Sequence, residues 1–522
     1  MTATDTAAQA GGSTGTTVLP FTGEEYLESL RDGREVWIYG EKVRDITEHP
    51  AFRNSARSVA RLYDALHDPA QQAVLTVPTD TGNGGFTHPF FKAPRSQEDL
   101  LASRDAIVGW QRLVYGFMGR TPDYKAAFLA TLGANTEFYS PYQENALRWY
   151  AKAQERVLFM NHAFVHPPID RSKPADQVAD ICVHVEEETD NGLIVTGAKV
   201  VATASALTHQ TFIAHAGLPL KDKRYAPIFI VDMNTPGVKL LARASYELVA
   251  AATGSPFDYP LSSRLDENDS ILIFDRALIP WENVLAYDAE QANMFLQRSG
   301  FIYRAMFQAL LRLGVKLDFI AGLLMKATEA AGNKKTPRVQ ANIGEVIAWR
   351  GIIWSLTDGM IQSCEPWGNG SIQPNPATAL AAQPLMPQIY GRIKEIIEHT
   401  VGSSLIYLNS NAVDFKTPEV RGYLDHYLRG SDDYSSVDRA KTMKLLWDAL
   451  GSEFGGRHEL YERNYVGNVE DTRRAVLFGA LGNGDASRFK ELAEQCMSEY
   501  DLDGWTMPGF VNPDDINLWG KR

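Results

Sequence analysis

The sequence predicts an α+β chain in three blocks: a helical N-terminal block, an all-β middle and a long helical C-terminal block. Three observations carry this. Residues 55–66 place Val59, Leu62, Tyr63 and Leu66 at helical spacing. Residues 178–188 alternate apolar and polar side chains, the period-2 mark of a half-buried strand, and Asp190-Asn191-Gly192 then supplies a hairpin turn. From residue 289 onward the pattern is helical again, in long segments apolar on more than one side, as in a bundle that also pairs with other subunits. The boundaries this predicts are a disordered tail over 1–18, a mainly helical domain over 19–166, a β domain over 167–288 and a helical bundle over 289–522.

Taken in order, the N-terminus is rich in Ala, Gly, Ser and Thr and has neither a basic start nor an apolar core. It reads as a disordered tail and not as a signal peptide. Thr22-Gly23-Glu24-Glu25 is a capping box that opens a helix carrying Leu27 and Leu30 on one face. Residues 34–43 read as a short hairpin turning at Gly40, and Asn54 as the N-cap of the 55–66 helix. Residues 79–87 (TDTGNGGFT) are glycine-rich but match neither GxGxxG nor a phosphate loop, so they form a mobile loop or one that edges a ligand. Helices follow over 96–115, 122–132 and 142–160. Thr121 and Pro122 start the second of these, a threonine N-cap and a proline at the first helical position. Trp149, Ala153, Val157 and Met160 give the third its core face.

In the β block, 193–203 is the hairpin partner of 178–188, and further strands are expected over 211–216, 226–232, 238–244 and 271–275. Residues 246–263, with Gly254, Pro256 and Pro260, read as irregular. The C-terminal helices are expected over 301–331, 339–363, 385–408, 436–450 and 471–500, and no internal repeat occurs.

Composition excludes several function classes. The net charge of -13 argues against nucleic acid and against an anionic membrane surface as partners. No apolar run approaches the ~20 residues of a spanning helix. Cys182, Cys364 and Cys496 lie far apart, which suits a reducing cytoplasm without a disulfide framework. The absence of a Rossmann fingerprint leaves no visible nicotinamide site.

Arg120 stands just ahead of the helix beginning at Pro122, and Tyr124 lies in its first turn. A helix N-terminus carries roughly half a positive charge. A guanidinium, a phenol and that dipole together suit a developing negative oxygen, and His162 is the candidate for the other half of the site. On spacing alone, Arg120 with Tyr124 also reads as a surface stack or a capping arrangement, and His162 as a satisfied core histidine. His162 and His166 are four apart, like metal ligands on a helix. Pro167 breaks such a helix, no glutamate stands between them and no third ligand is evident, so no metal is expected. Gly451-Ser452-Glu453-Phe454-Gly455 follows a helix end; it is a C-cap, or a backbone that lets a bulky ligand approach closely. Thr203 ends a strand and offers a hydroxyl.

Longer runs decide among these alternatives. HPAFRNSARSVARLYDALHD, MGRTPDYKAAF, TGAKVVATASALTH, TGSPFDYPLSSRLDENDSILIFD, IPWENVL and GSEFGGRHELYERNY resemble the large oxygenase component of two-component, flavin-dependent aromatic hydroxylases. That family, typified by 4-hydroxyphenylacetate 3-monooxygenase, also holds phenol, chlorophenol and carrier-bound tyrosine hydroxylases. The resemblance covers the chain from about Leu19 to Trp519. It implies an acyl-CoA dehydrogenase-like fold, with an N-terminal helical domain, a central β-barrel domain and a C-terminal four-helix domain, in a homotetramer. It implies substrate-hydroxyl contacts at Arg120, Tyr124 and His162. The implied flavin contacts are Pro168, Ile169, Asp170, Arg171, Thr203 and the run Gly451, Ser452, Glu453, Phe454 and Gly455, with His162 between flavin and phenol. The glycine run would serve a flavin partly held by a neighbouring subunit. Where the 4-hydroxyphenylacetate enzymes hold the substrate carboxylate with a serine, this chain has Ala216-Gly217-Leu218, which favours a phenol without an acetate tail or with its tail held otherwise.

The implied reaction takes reduced FAD from a separate reductase, forms a flavin C4a-hydroperoxide with O2 and hydroxylates a phenol ortho to its hydroxyl, giving a catechol. Phenol, a halophenol, 4-hydroxyphenylacetate and a carrier-bound tyrosine are the candidate substrates. Rival readings are an acyl-CoA dehydrogenase, which needs a carboxylate base not assignable here, and an iron–sulfur dehydratase, which needs clustered cysteines. A non-catalytic scaffold would lack the Arg120, Tyr124 and His162 set, and all three are present.

Overall fold

Capping chemistry opens the chain as expected. Thr22 accepts the Glu25 N–H at 3.2 Å while the Glu25 carboxylate accepts the Thr22 N–H at 2.9 Å, starting α1 (Gly23–Ser29). This computed structural model describes residues 17–170, 172–502 and 504–510; of the tail expected over residues 1–18, residues 1–16 lie outside the described residues. The hairpin β1 (Glu35–Ile38) and β2 (Glu41–Lys42) turns at Tyr39 and Gly40, φ +51° and +80°, the left-handed pair that a two-residue hairpin requires. Next comes α2 (Arg53–His67), which begins earlier than predicted. Asn54 is not its cap. The Glu247 carboxylate, distant in sequence, accepts the N–H groups of Asn54 and Ser55 at 2.7 and 2.9 Å, placing negative charge at the helix's positive end.

There follow α3 (Pro69–Leu75), the hairpin β3 (Val77–Pro78) and β4 (Phe86–Thr87) that carries the glycine-rich loop, α4 (Gln97–Leu113), α5 (Pro122–Ala134) and α6 (Gln143–Arg156). The last ends short of the predicted Met160 because Val157 turns left-handed at φ +51°. Residues Met160–Ala163 become strand β5 instead.

The middle holds β6 (His184–Thr189), β7 (Gly192–Thr203), β8 (Gln210–Ile213), β9 (Pro227–Asp232), β10 (Val238–Ala242), β11 (Asp269–Pro280) and β12 (Val284–Tyr287). The predicted 178–188 strand is shortened at its start, where the N–H groups of Ile181 and Cys182 turn back to the Val178 carbonyl. At Gly192, φ is +150° and an added Cβ would fall 2.1 Å from the Ile279 carbonyl oxygen, so this hairpin position admits only glycine. Inside the stretch expected to be irregular lies helix α7 (Tyr246–Thr253), capped by the Ser245 hydroxyl. One sheet runs β2-β1-β10-β11-β7-β6 and the other β12-β9-β8-β5. The β1–β10 and β5–β8 pairs are parallel and the rest antiparallel. A Val165–Val200 bridge joins the two sheets at one end.

The C-terminal block holds α8 (Ala289–Asn293), α9 (Phe295–Arg298), α10 (Phe301–Ala330), α11 (Pro337–Gln362), α12 (Pro376–Ile406), α13 (Pro418–Tyr427), α14 (Ser436–Leu450), α15 (Glu453–Asn464), α16 (Val469–Gly482) and α17 (Asp485–Met497). Helix α12 starts nine residues ahead of the predicted 385 because it absorbs Pro384 and Pro387 in its interior. The expected 471–500 helix is broken by a left-handed Gly484 at φ +86°. Helices α10, α11, α12 and α14 pack on one another as the bundle. Among the described residues no helix is long and apolar enough to cross a membrane.

The long helix α10 is buried nearly all round, yet carries Arg304, Gln308, Arg312 and Lys316 at four-residue intervals on one stripe. Gln308 reaches the Asp123 carboxylate on α5, and Arg304 donates to the Phe90 carbonyl at 2.8 Å. Arg312 and Lys316 both pair with Glu462 of α15, with all three side chains out of water. A buried carboxylate between two cations is expensive to leave half-made: removing one partner costs about 3–5 kcal/mol. Burial raises the Glu462 pKa, but the two cations outweigh it and hold it at about 2, against 4.5 for the free side chain. The contribution is therefore present above pH 4.5 and is lost as pH falls towards 2. Glu462→Gln should lower the free energy of unfolding measured in urea by an amount in that range, and with it the midpoint, and should make stability depend less on pH between 4.5 and 2 than in the wild type. An unchanged midpoint would show that the ion triad does not hold α15.

Candidate active site

Pro122 at the first position of α5 fixes the chain entering the helix, and Arg120 precedes it. Thr121 stands at the N-cap, but its hydroxyl is used sideways: it accepts from Gln111 Nε2 at 2.7 Å and donates to the Asp123 carboxylate. Arg120 is held by its backbone N–H, which donates to Glu267, and the other oxygen of Glu267 lies 3.4 Å from Arg457 of α15. The Arg120 guanidinium then sits 4.0 Å over the Tyr124 ring and 5.3 Å from both Tyr461 and Tyr465. Tyr461 and Tyr465 are one helical turn apart and stack at 4.8 Å. In a desolvated setting a cation over an aromatic face contributes about 2 kcal/mol. The close packing needs Gly119, where an added Cβ would fall 2.5 Å from the Tyr461 ring. Arg120 Nε and Nη1 are buried and have no hydrogen-bond partner among the described residues.

His162 is on strand β5, not at a helix end, and its ring lies 5.8 Å from that of Tyr124, nearly parallel to it. Phe164 and Phe301 close the other side, 4.3 and 6.4 Å away. Strand geometry also disposes of the shared helix face with His166, whose Nε2 meets Lys199 Nζ at 3.3 Å. Among the described residues no group of three or more His, Cys, Asp or Glu side chains is arranged to hold a metal ion. Burial, then Lys125 and then Arg120, push the His162 pKa well below its ordinary value. The imidazole is accordingly neutral and free to accept a proton.

The structure thus brings Arg120, Tyr124 and His162 together. Ala216 joins them: its N–H reaches the Phe164 carbonyl at 3.4 Å, two residues along from His162. Gly217 and Leu218 continue into an exposed loop, where His215 Nε2 bonds the Leu218 carbonyl at 2.8 Å. Thr203 ends β7, and Val200 of the same strand bridges Val165, three residues on from His162. Its hydroxyl donates to Asp269 at 2.6 Å, and Asp269 pairs with Arg457 at 2.8 Å and Arg243 at 3.1 Å. Burial raises the Asp269 pKa, but Arg457 and Arg243 drive it below the usual carboxylate range. Thr203 is flanked by left-handed Val201 and Ala204, φ +57° and +60°. A β-branched residue in that conformation is strained, and such strain concentrates at ligand sites.

Other predicted contacts stand apart from this cluster. Pro168 and Ile169 are exposed, and Asp170 turns back on Ser172 and Lys173. Arg171 lies outside the described residues. The run Gly451, Ser452, Glu453, Phe454 and Gly455 is the start of α15, with Ser452 accepting the Gly455 N–H at 3.1 Å. Gly455 lets α15 start tightly against the end of α14, since a Cβ there would meet the Leu450 backbone at 2.6 Å. At 1.5 Å per residue this end is about 14 Å along the helix from Tyr461.

Sequence reading missed Glu267, Tyr461, Tyr465 and Lys125. The two tyrosines stand at i and i+4 in a run already singled out for its glycines, so their shared face was the available signal. Glu267 lies in the DEND stretch, where nothing local distinguishes the carboxylate that reaches Arg120.

Comparison with known proteins matches two adjoining profiles. The 4-hydroxyphenylacetate 3-hydroxylase N-terminal profile spans residues 22–286, and the C-terminal profile of the same family spans 292–496. The chain is 61% identical over 501 residues to the oxygenase component of 4-nitrophenol 2-monooxygenase from a Rhodococcus species, covering 96% of each chain. It is 57% identical to a Streptomyces globisporus monooxygenase acting on a carrier-bound (3S)-3-amino-3-(3-chloro-4-hydroxyphenyl)propanoyl group, covering 94% of this chain and 93% of that one. The crystal structure of a 4-hydroxyphenylacetate 3-monooxygenase oxygenase component with FAD and 4-hydroxyphenylacetate superposes with a TM-score of 0.84 at 30% identity, covering 91% of this chain and 99% of that one. A 4-hydroxybutyryl-CoA dehydratase, 20% identical, shares the fold with a TM-score of 0.81.

The depressed basicity of His162 is directly measurable. In nitrogen-15 histidine-labelled protein, the resonance removed by His162→Gln should show no titration near pH 6.5, the ordinary histidine value. A midpoint at that pH would mean that the two nearby cations do not act on the ring.

Proposed function

The chain belongs to the 4-hydroxyphenylacetate 3-hydroxylase family, and from that premise we propose that it is the oxygenase component of a two-component monooxygenase that hydroxylates a phenol ortho to its hydroxyl, using reduced FAD and O2. The observation that carries this reading is the convergence of Arg120, Tyr124 and His162 in one buried aromatic cluster with Phe164 and Phe301.

The pocket fits a phenol. Arg120 has two unpartnered buried nitrogens, and among the described residues it has no ion pair to neutralise it. A free phenol has a pKa near ~10. A nearby opposite charge lowers a pKa by about 1–3 units, so Arg120 favours the phenolate, the more nucleophilic form. His162, held neutral, takes the phenolic proton, and a positioned base typically contributes about 10²–10⁴-fold. Tyr124 orients the oxygen, and the phenylalanine walls keep water away.

The surface beside His162 fits a flavin as well. Val165 and Val201 are exposed apolar side chains near the Val165–Val200 bridge, and the Thr203 oxygen, whose own proton goes to Asp269, is left as an acceptor. Thr203, His162 and the segment Pro168, Ile169, Asp170 and Arg171 would hold the flavin. The Gly451–Gly455 run, remote within one chain, would serve a flavin shared with a second copy. When bound in reduced form, the flavin activates O2 and supplies the oxygen atom that enters the ring. With no nicotinamide fingerprint in this chain, the reduced flavin comes from a separate NAD(P)H-flavin reductase. The three free cysteines suit a cytoplasmic setting.

For the substrate, Ala216 in place of a carboxylate-binding serine favours a para-substituted phenol without an acetate tail, of the 4-nitrophenol kind on which the Rhodococcus relative acts. A carrier-bound phenol is the second reading. The exposed residues Gly217 and Leu218 leave room for a tether, and the Streptomyces relative takes such a substrate. With a flavin reductase, NADH and FAD present, 4-nitrophenol should give catechol faster than 4-hydroxyphenylacetate, and NADH without reductase should give none. His162→Ala should go on consuming O2 but release hydrogen peroxide in place of catechol, and Arg120→Ala should weaken phenol binding and hydroxylation together. Full coupling in His162→Ala would remove the histidine from the chemistry.

The assembly is a homotetramer on this reading. Leu477, Phe478 and Leu481 of α16 and Phe489 and Leu492 of α17 are exposed large apolar side chains on adjacent helices, a patch that a monomer would leave in water. Sedimentation equilibrium should give four chains per particle; a monomer at micromolar concentration would contradict both the tetramer and the shared flavin.

A further inference from the structure

Lys125 follows Tyr124 in the first turn of α5, and its side chain is almost completely buried, 1% exposed. A lysine in such a position ordinarily runs its stem along apolar surface and brings its charge out to water. Lys125 does not. Its Nζ has no hydrogen-bond partner and makes no ion pair among the described residues. It points instead into the aromatic cup that surrounds His162, 4.5 Å from the centre of the Tyr124 ring, 4.9 Å from Phe301 and 5.8 Å from Phe164. Those three rings are the ones packed against the His162 imidazole.

On the functional reading above, we propose that Lys125 is a fourth polar residue of the phenol pocket, whose ammonium balances the charge of the bound phenolate. The charged and titratable groups around it are Arg120 and Tyr124 from its own end of α5, His162 from β5, and Tyr461 and Tyr465 of α15 beyond Arg120. Among these no carboxylate faces the pocket; Glu267 is turned to the Arg120 backbone and Arg457, and Asp123 to Thr121 and Gln308. Two basic side chains thus share an apolar cup with nothing negative to meet them, which is the complement of an anionic oxygen. Burial, then the charge of Arg120, lower the Lys125 pKa from its ordinary value, so the ammonium gains from an anion placed beside it.

The proton balance follows. A neutral phenol enters, its O–H bond breaks with the electron pair left on oxygen, and His162, which is only partly buried, takes the proton and passes it to solvent. The site then holds a phenolate beside the Lys125 ammonium, with His162 neutral before and after. The phenolate offsets one of the two buried positive charges, and the phenol is ionised before oxygen arrives.

The probe is 4-nitrophenol, whose phenolate is coloured and whose acid is not, bound under anaerobic conditions to full-length enzyme carrying reduced FAD. Absorbance against pH gives the ionisation midpoint of the bound phenol. Lys125→Met, close in volume and uncharged, should move that midpoint up by at least about one pH unit, the lower end of the effect of a neighbouring opposite charge. Lys125→Arg, which keeps the charge, should bring it back down. Lys125→Gln serves as a second uncharged variant and should behave as Met does. An unchanged midpoint in a folded Met or Gln variant overturns the role of Lys125 and leaves the phenol pocket standing. Failure of the wild type to bind 4-nitrophenol overturns the functional reading and this assignment with it.

Discussion

The site depends on how α15 is docked. Glu462, buried between Arg312 and Lys316 of α10, fixes the helix in rotation as well as in position. Everything that α15 presents to the pocket follows from that rotation: Arg457 reaches Glu267 and Asp269, while Tyr461 and Tyr465 enclose Arg120. Fully desolvated ion groups contribute little net stability relative to an apolar core of equal shape. What they supply here is a unique register, since a rotation of one residue would leave a carboxylate and two cations buried without partners.

A second consequence concerns charge. Arg120, Thr203 and the two α15 tyrosines are tied into one continuous set by Glu267, Asp269 and Arg457. The carboxylates of that set are consumed in holding backbone and guanidinium groups, so none is left facing the phenol. The pocket itself keeps only cations and neutral rings. The positive field that holds the His162 imidazole neutral would, on the proposed reaction, also stabilise an oxygen anion formed beside it. The field comes from fixed groups, so it costs no reorganisation when the anion forms.

Local signals in the sequence predicted local structure well. The capping box at Thr22, the hairpin turns at Gly40 and Gly192, the Pro122 helix start and the hydrophobic periods of α2, α4, α10 and α11 all form, because each is decided within a few residues. The misses were elements set at long range. The start of α2 is capped by Glu247, β5 exists because β8 pairs with it, and α12 runs through two prolines because the bundle packs round it. Met160–Ala163 carries no strand signature of its own, and the apolar pattern before it had extended α6 too far.

By itself the sequence determined the family and pointed to three blocks and to the polar residues Arg120, Tyr124 and His162, since motif and periodicity are written in neighbouring letters. Only the tertiary structure decided that Glu267, Tyr461 and Tyr465 fix the arginine, that Thr203 is tied through Asp269 to Arg457, and that an unpaired lysine looks into the same cup. Those residues come from segments far apart in the chain. Burial and electrostatic field depend on distance in space, and no stretch of sequence records that distance.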